Sequence, residues 1–123
     1  MNQETHPVDP RRIVVVGPCG AGKTTLVDHL REQGYDARVV AQEHSIIRDL
    51  WRRREPDVVV ALDLDLATLR GRRSPTWSAD IFEKQHDRLR EAFAAADIVI
   101  DTGRHGEAEV VEMVKGWLNH HPR

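Results

Sequence analysis

Residues Ile13–Thr25 read IVVVGPCGAGKTT, and the reading of this stretch decides the fold. Gly17, Pro18, Cys19, Gly20, Ala21, Gly22, Lys23 and Thr24 fit the pattern G-x-x-x-x-G-K-[ST], that of a loop wrapping phosphate. The flanks are those the pattern needs. Ile13–Val16 is apolar and mostly β-branched, which suits a buried parallel strand, and TTLVDHLREQ favours a helix. Glycines let the backbone curl so that successive N–H groups converge on phosphate oxygens. The helix N-terminus adds its positive dipole end. On this pattern Gly17 to Thr25 bind a nucleoside triphosphate. Lys23 reaches the β- and γ-phosphates, and the Thr24 hydroxyl ligates Mg²⁺.

The 123 residues read as one domain, 1–123, with Met1–Pro10 expected as a flexible tail. An apolar fraction of 40% and a charged fraction of 31% are those of an ordinary soluble globular protein. The net charge of −2 hides arginine clusters at 52–54 and at 70, 72 and 73, but gives no overall basic surface for nucleic acid. The single cysteine, Cys19, excludes an internal disulfide and suits a reducing cytoplasm. No apolar run reaches the length of a membrane span, so no membrane partner is expected.

Working outward, a first helix is expected over 23–33 with Leu26, Val27 and Leu30 on one face and Gly34 at its end. A second strand follows over Ala37–Ala41, running into Gln42, Glu43 and His44. Ile46, Ile47, Leu50 and Trp51 then predict a buried stripe on a short helix from Ile46 to Arg54, capped by Ser45 and stopped by Pro56. Val58–Leu62 reads as a third strand buried on both faces, followed by Asp63 and Asp65 and a helical turn over Leu66–Arg70. The segment Gly71–Ser78, GRRSPTWS, is irregular. A long helix over Ala79–Ala96 buries Ile81, Phe82, Leu89, Phe93 and Ala96. A fourth strand over Asp97–Asp101 and a closing helix over Glu107–Leu118 complete the chain. The alternation gives an α/β fold, a three-layer α/β/α sandwich on a mostly parallel sheet of about four strands.

Phosphate binding becomes chemistry only with an acid near the metal or the nucleophile. Ligands of open α/β sheets collect at the C-terminal ends of strands, where Asp63 and Glu43 both stand. Asp63 is a candidate metal ligand beside Thr24, and Glu43 a candidate catalytic group. Either could instead cap a helix or meet water. Arg70, Arg72 and Arg73 can spread charge on phosphate, or form a solvated basic surface. His29 and His86 read as structural; His105 could line a base pocket. Trp77 either covers a ligand or anchors its loop to the core. Cys19 fills the loop as a small residue, with redox control of binding as the alternative. No Cys/His spacing suggests zinc.

The chain resembles the P-loop NTPases, in particular the nucleoside-monophosphate-kinase-like small-molecule kinases and the nicotinamide-riboside-kinase-like ATPases. GPCGAGKTT, DVVVALDLDLATLRGRR and AADIVIDTGRHGEAEVVEMVKGWL carry the likeness. The resemblance implies ATP and Mg²⁺ as cofactors. It puts Arg70, Arg72 or Arg73 on phosphates or against the adenine, and Thr102 and Gly103 beside the base. Glu43 takes the place of the acid that contacts the acceptor, often as a base. Two regions are trimmed relative to the family. Only Gln42–Pro56 stands between the second and third strands, and the lid is reduced to about GRRSPTWS. The expected function is a small-molecule phosphotransferase using Mg-ATP. The alternative is a nucleotide-binding or slowly hydrolysing regulatory ATPase read by a protein partner. A homo-oligomer in which a second subunit completes the site is also compatible with the short lid. The absence of an N/T-K-x-D motif favours ATP over GTP.

Overall fold

In a computed structural model, residues 9–122 are described. The chain builds strand β1 (Arg12–Val16), helix α1 (Lys23–Glu32), strand β2 (Asp36–Val39), strand β3 (Val58–Asp63), helices α2 (Leu66–Arg72) and α3 (Ala79–Ala95), strand β4 (Ile98–Asp101) and helix α4 (Glu107–His120). The four strands form one parallel sheet in the order β2-β1-β3-β4. The two central strands are the two near-continuous apolar runs. Only a strand covered on both faces tolerates such a run, and Ile13–Val16 and Val58–Leu62 are all buried.

Alternation along β1 separates two cores. Ile13 and Val15 pack with Leu26, Val27 and Leu30 of α1 and Val110, Val111, Val114 and Leu118 of α4. Val14 and Val16 pack on the opposite face with Trp51 and with Leu89 and Ala92 of α3. Helices therefore cover both faces of the sheet. Each fully buried aliphatic side chain contributes about 1.5–3 kcal/mol.

Local chemistry sets the ends of the elements. At the end of α1, the Gly34 and Tyr35 amides donate to the Arg31 and Leu30 carbonyls, a Schellman closure. Asp65 caps α2 by accepting from the Thr68 amide at 2.7 Å, which holds its carboxyl below the usual range, and Ser78 caps α3 through the Ile81 amide. Residues 1–8 of the expected tail lie outside the described residues. Its end is structured: Asp9 accepts from the Arg11 side chain, whose guanidinium also donates to the Leu118 and His121 carbonyls at the end of α4.

The expected helix over Ile46–Arg54 does not form. A short 3₁₀ turn, Gln42–His44, precedes an irregular segment and a second 3₁₀ turn, Arg52–Arg54. Ile46 is 82% exposed, and of the expected stripe only Trp51 is buried. The cause is Gln42, whose fully buried amide donates to the Ile47 carbonyl and accepts from the Trp51 amide. These bonds satisfy the backbone outside a helix. Glu55 then turns through the left-handed region at φ 54°. One buried-face assignment also changes: Ile81 is exposed on α3, and Gln85 is buried beside Leu89 and Ala92.

Candidate functional site

The loop between β1 and α1 sits at the C-terminal ends of β1 and β3. A Cβ on Gly17 would lie 2.5 Å from the Leu62 carbonyl oxygen, so only glycine lets the loop leave β1 against β3. Gly20 turns at φ +80°, with a would-be Cβ 2.6 Å from Cδ1 of Leu69 on α2. The Ala21 amide closes a turn on the Pro18 carbonyl, and the Cys19 amide donates to Oε1 of Gln85 on α3. Lys23 opens α1 and folds back over the loop. Its ammonium donates to the Gly17 carbonyl at 2.8 Å, the Pro18 carbonyl at 3.0 Å and Oε2 of Glu43 at 2.8 Å. That uses all three of its protons.

Two clefts flank the loop. One, of about 340 Å³, is lined by Gly20, Gly22, Thr25, Arg72, Thr102 and His105. The other, of about 330 Å³, is lined by Cys19, Lys23, Thr24, Val39, Glu43 and Arg73. Gly20, Gly22, Thr25 and Arg73 border both, so the clefts adjoin across the loop.

The two candidate acids part company. Glu43 is buried in the cleft with Lys23 and Thr24. Asp63 lines neither cleft: its Oδ1 accepts from the Leu64 amide and lies 2.8 Å from Nε2 of His86. His86 Nδ1 faces the Phe82 carbonyl at 2.9 Å. Both ring nitrogens thus face acceptors, which favours the imidazolium. Asp63 holds the His86 pKa above its ordinary value, against partial burial.

The arginines also divide. Arg70 is tied to the Trp77 carbonyl through Nε and Nη2, so it braces the irregular segment from beneath. Trp77 packs partly buried against the core, the anchoring role weighed for it. Arg72 bridges the loop and the end of β4, donating to the Gly20 carbonyl at 2.8 Å, Thr102 Oγ1 at 3.2 Å and the Thr102 carbonyl at 2.5 Å. Arg73 borders both clefts; its amide donates to the Leu69 carbonyl, and its guanidinium makes no hydrogen bond or ion pair among the described residues. Thr102 and His105 line the larger cleft. Gly103 does not; its amide donates to Asp101 Oδ1. His29 stands on the exposed side of α1 near Glu32.

Gln85 is the residue that periodicity misses. It is buried on α3, accepts from the Cys19 amide and donates from Nε2 to the Cys19 sulfur at 3.3 Å. Its position in a helix of mixed polarity carries no local signal, because its partner lies 66 residues away. The same packing of α3 brings Arg88 to 3.4 Å from the Glu43 carbonyl. His44 Nε2 stands 3.6 Å from the Cys19 sulfur and 3.6 Å from Glu43 Oε2. Compared with family models and with curated proteins, the chain matches none of either.

Proposed function

We propose that the chain is an ATP-binding P-loop protein that works as a small-molecule phosphotransferase with Mg-ATP. The observation that carries this reading is the Lys23–Glu43 pair in a cleft shared with Thr24, adjoining a second cleft bordered by Arg72, Thr102 and His105. A cationic loop followed by an acid suits a triphosphate on one side and a group to be deprotonated on the other. The residues present fit the nucleotide. The loop is shaped by Gly17 and Gly20, the ammonium of Lys23 faces inward, and Arg73 has no competing partner among the described residues.

In this reading the base occupies the larger cleft near Thr102 and His105. Lys23, Arg72 and Arg73 neutralise phosphate charge, and Thr24 with Glu43, the acid of the same cleft, would hold the Mg²⁺. ATP supplies the phosphoryl group. Glu43 holds or receives the proton of the acceptor hydroxyl, and its burial keeps water from the carboxylate. The test is ATP consumption by the full chain across a panel of metabolite hydroxyl compounds. At least one acceptor should raise it above the Glu43→Gln background; if none does, transfer is excluded.

A second reading rests on the irregular segment. Trp77 packs on the core and Arg70 grips its carbonyl, so the stretch that would serve as a lid is tied down. That favours a nucleotide-binding or slowly hydrolysing module read by a partner. A change in mass or in partner capture on adding ATP supports this reading, and identical behaviour with and without ATP removes it.

A further inference from the structure

The fold gathers one sulfur, one imidazole and one carboxylate that sequence spacing does not announce. Cys19, Glu43 and His44 each place one ligating atom so that all three lie within 4.8 Å of one another. We propose that these residues form a binding site for a soft divalent transition metal ion of the zinc class, at the mouth of the loop. The site shares Glu43 with the proposed nucleotide chemistry, but none of its observations depends on phosphate.

Three features support it. The first is geometry. A tetrahedral zinc with ordinary bond lengths separates its sulfur and nitrogen ligands by about 3.6 Å and its nitrogen and oxygen ligands by about 3.4 Å. Here the Cys19 sulfur and His44 Nε2 are 3.6 Å apart, as are His44 Nε2 and Glu43 Oε2. The remaining pair, the Cys19 sulfur and a Glu43 carboxylate oxygen, lies within 4.8 Å. The second is an unmet acceptor. The Glu43 side chain is 4% exposed; its Oε2 takes the Lys23 ammonium while its Oε1 has no donor among the described residues, so the carboxylate keeps one oxygen free for a cation. The third is outer support. Gln85 fixes the Cys19 amide and donates to its sulfur, which orients a ligand and stabilises a thiolate.

The donor set selects the metal. Sulfur with imidazole favours zinc-like ions over magnesium or calcium, which take oxygen ligands. Three protein ligands leave a fourth position for water or another group. On binding, the Cys19 S–H bond breaks, its proton passes to solvent, and the sulfur lone pair forms the metal bond. Thiolate and carboxylate together carry two negative charges. They balance the two charges of the ion, and the Lys23 ammonium on the same carboxylate adds one positive charge beyond that.

Cobalt(II) reports the site directly, because thiolate coordination gives a charge-transfer absorption and tetrahedral geometry gives intense visible bands. Titrating the full chain with Co²⁺ after chelator treatment should give one such site, emptied by Zn²⁺. Cys19→Ser should abolish the charge-transfer band, and His44→Asn should weaken Co²⁺ binding at least about tenfold. A wild-type spectrum without that band, or unchanged affinity in both variants, overturns the proposal. A second measurement needs no variant: Cys19 is the single thiol, so its alkylation rate reads this site alone. Zn²⁺ should slow alkylation at least about tenfold, as expected for a coordinated sulfur. An unchanged rate again overturns the site.

Discussion

The ammonium of Lys23 lies 2.8 Å from Oε2 of Glu43, joining the loop after β1 to the 3₁₀ turn after β2, with both side chains nearly buried. This pair fastens the loop. Removing one member of a buried pair strands the other without water, whereas replacing both with apolar groups need not. Lys23→Met should therefore cost roughly 3 kcal/mol, and Lys23→Met with Glu43→Leu should recover at least half of that. Urea unfolding of the two variants checks it. A single variant as stable as the parent would mean that the pair does not fasten the loop.

The clash built into Gly17 gives a sharper expectation. A methyl there meets a backbone carbonyl, which no rotamer change can move aside. Gly17→Ala should cost about 2–3 kcal/mol, as overpacking does. For a chain of this size that lowers Tm by roughly 10 °C, readable by calorimetry. An unchanged Tm would contradict the contact between the loop and β3.

The pairing of His86 with Asp63 makes stability depend on pH in a definite direction. The His86 pKa is raised above its ordinary 6.5, so the folded chain holds this proton more tightly than the unfolded chain does. The stabilisation is complete below about pH 6.5 and is lost as pH rises through the folded value. The stability gap between the parent and His86→Asn should thus be larger near pH 6 than near pH 9. NMR titration of the imidazole should give the raised value, and a gap that widens with pH would refute the ion pair.

Arg72 ties the loop to β4 by three hydrogen bonds, two of them on Thr102. Its residue is exposed overall, so we expect Arg72→Ala to cost only about 1 kcal/mol. Hydrogen exchange should speed at Thr102, which borders the larger cleft, and leave β1 protected. Equal acceleration in both would mean that the arginine is no local clamp.

Much of this architecture is legible in residue order because it rests on local rules. The apolar runs of β1 and β3, the glycine-shaped loop and the amphipathic α1 and α4 each identify themselves, and they place Lys23 at a helix start without further information. The segment after Glu43 is different. Ile46, Ile47, Leu50 and Trp51 have helical spacing, yet Gln42 satisfies the Ile47 and Trp51 backbone groups and leaves Ile46 in solvent. A single buried amide overrides the periodicity. The grouping of Cys19 with His44 and Gln85 arises from α3 packing across the loop, a contact between distant parts of the chain that no spacing encodes. The separation of Glu43 from Asp63 is likewise tertiary: Asp63 ends β3 against His86, while Glu43 lies in the 3₁₀ turn after β2, against Lys23.

The proposed function requires that this loop bind ATP through Lys23. Calorimetric titration of the full chain with Mg-ATP, alongside GTP and the Lys23→Ala variant, tests it most directly. One saturable ATP site, weaker binding of GTP and no measurable heat for the variant are expected. Thermal unfolding should shift in parallel, by the equivalent of about 2.7 kcal/mol at a hundredfold excess over Kd. An absence of both heat and stabilisation with the parent chain, or equal binding by Lys23→Ala, would contradict it.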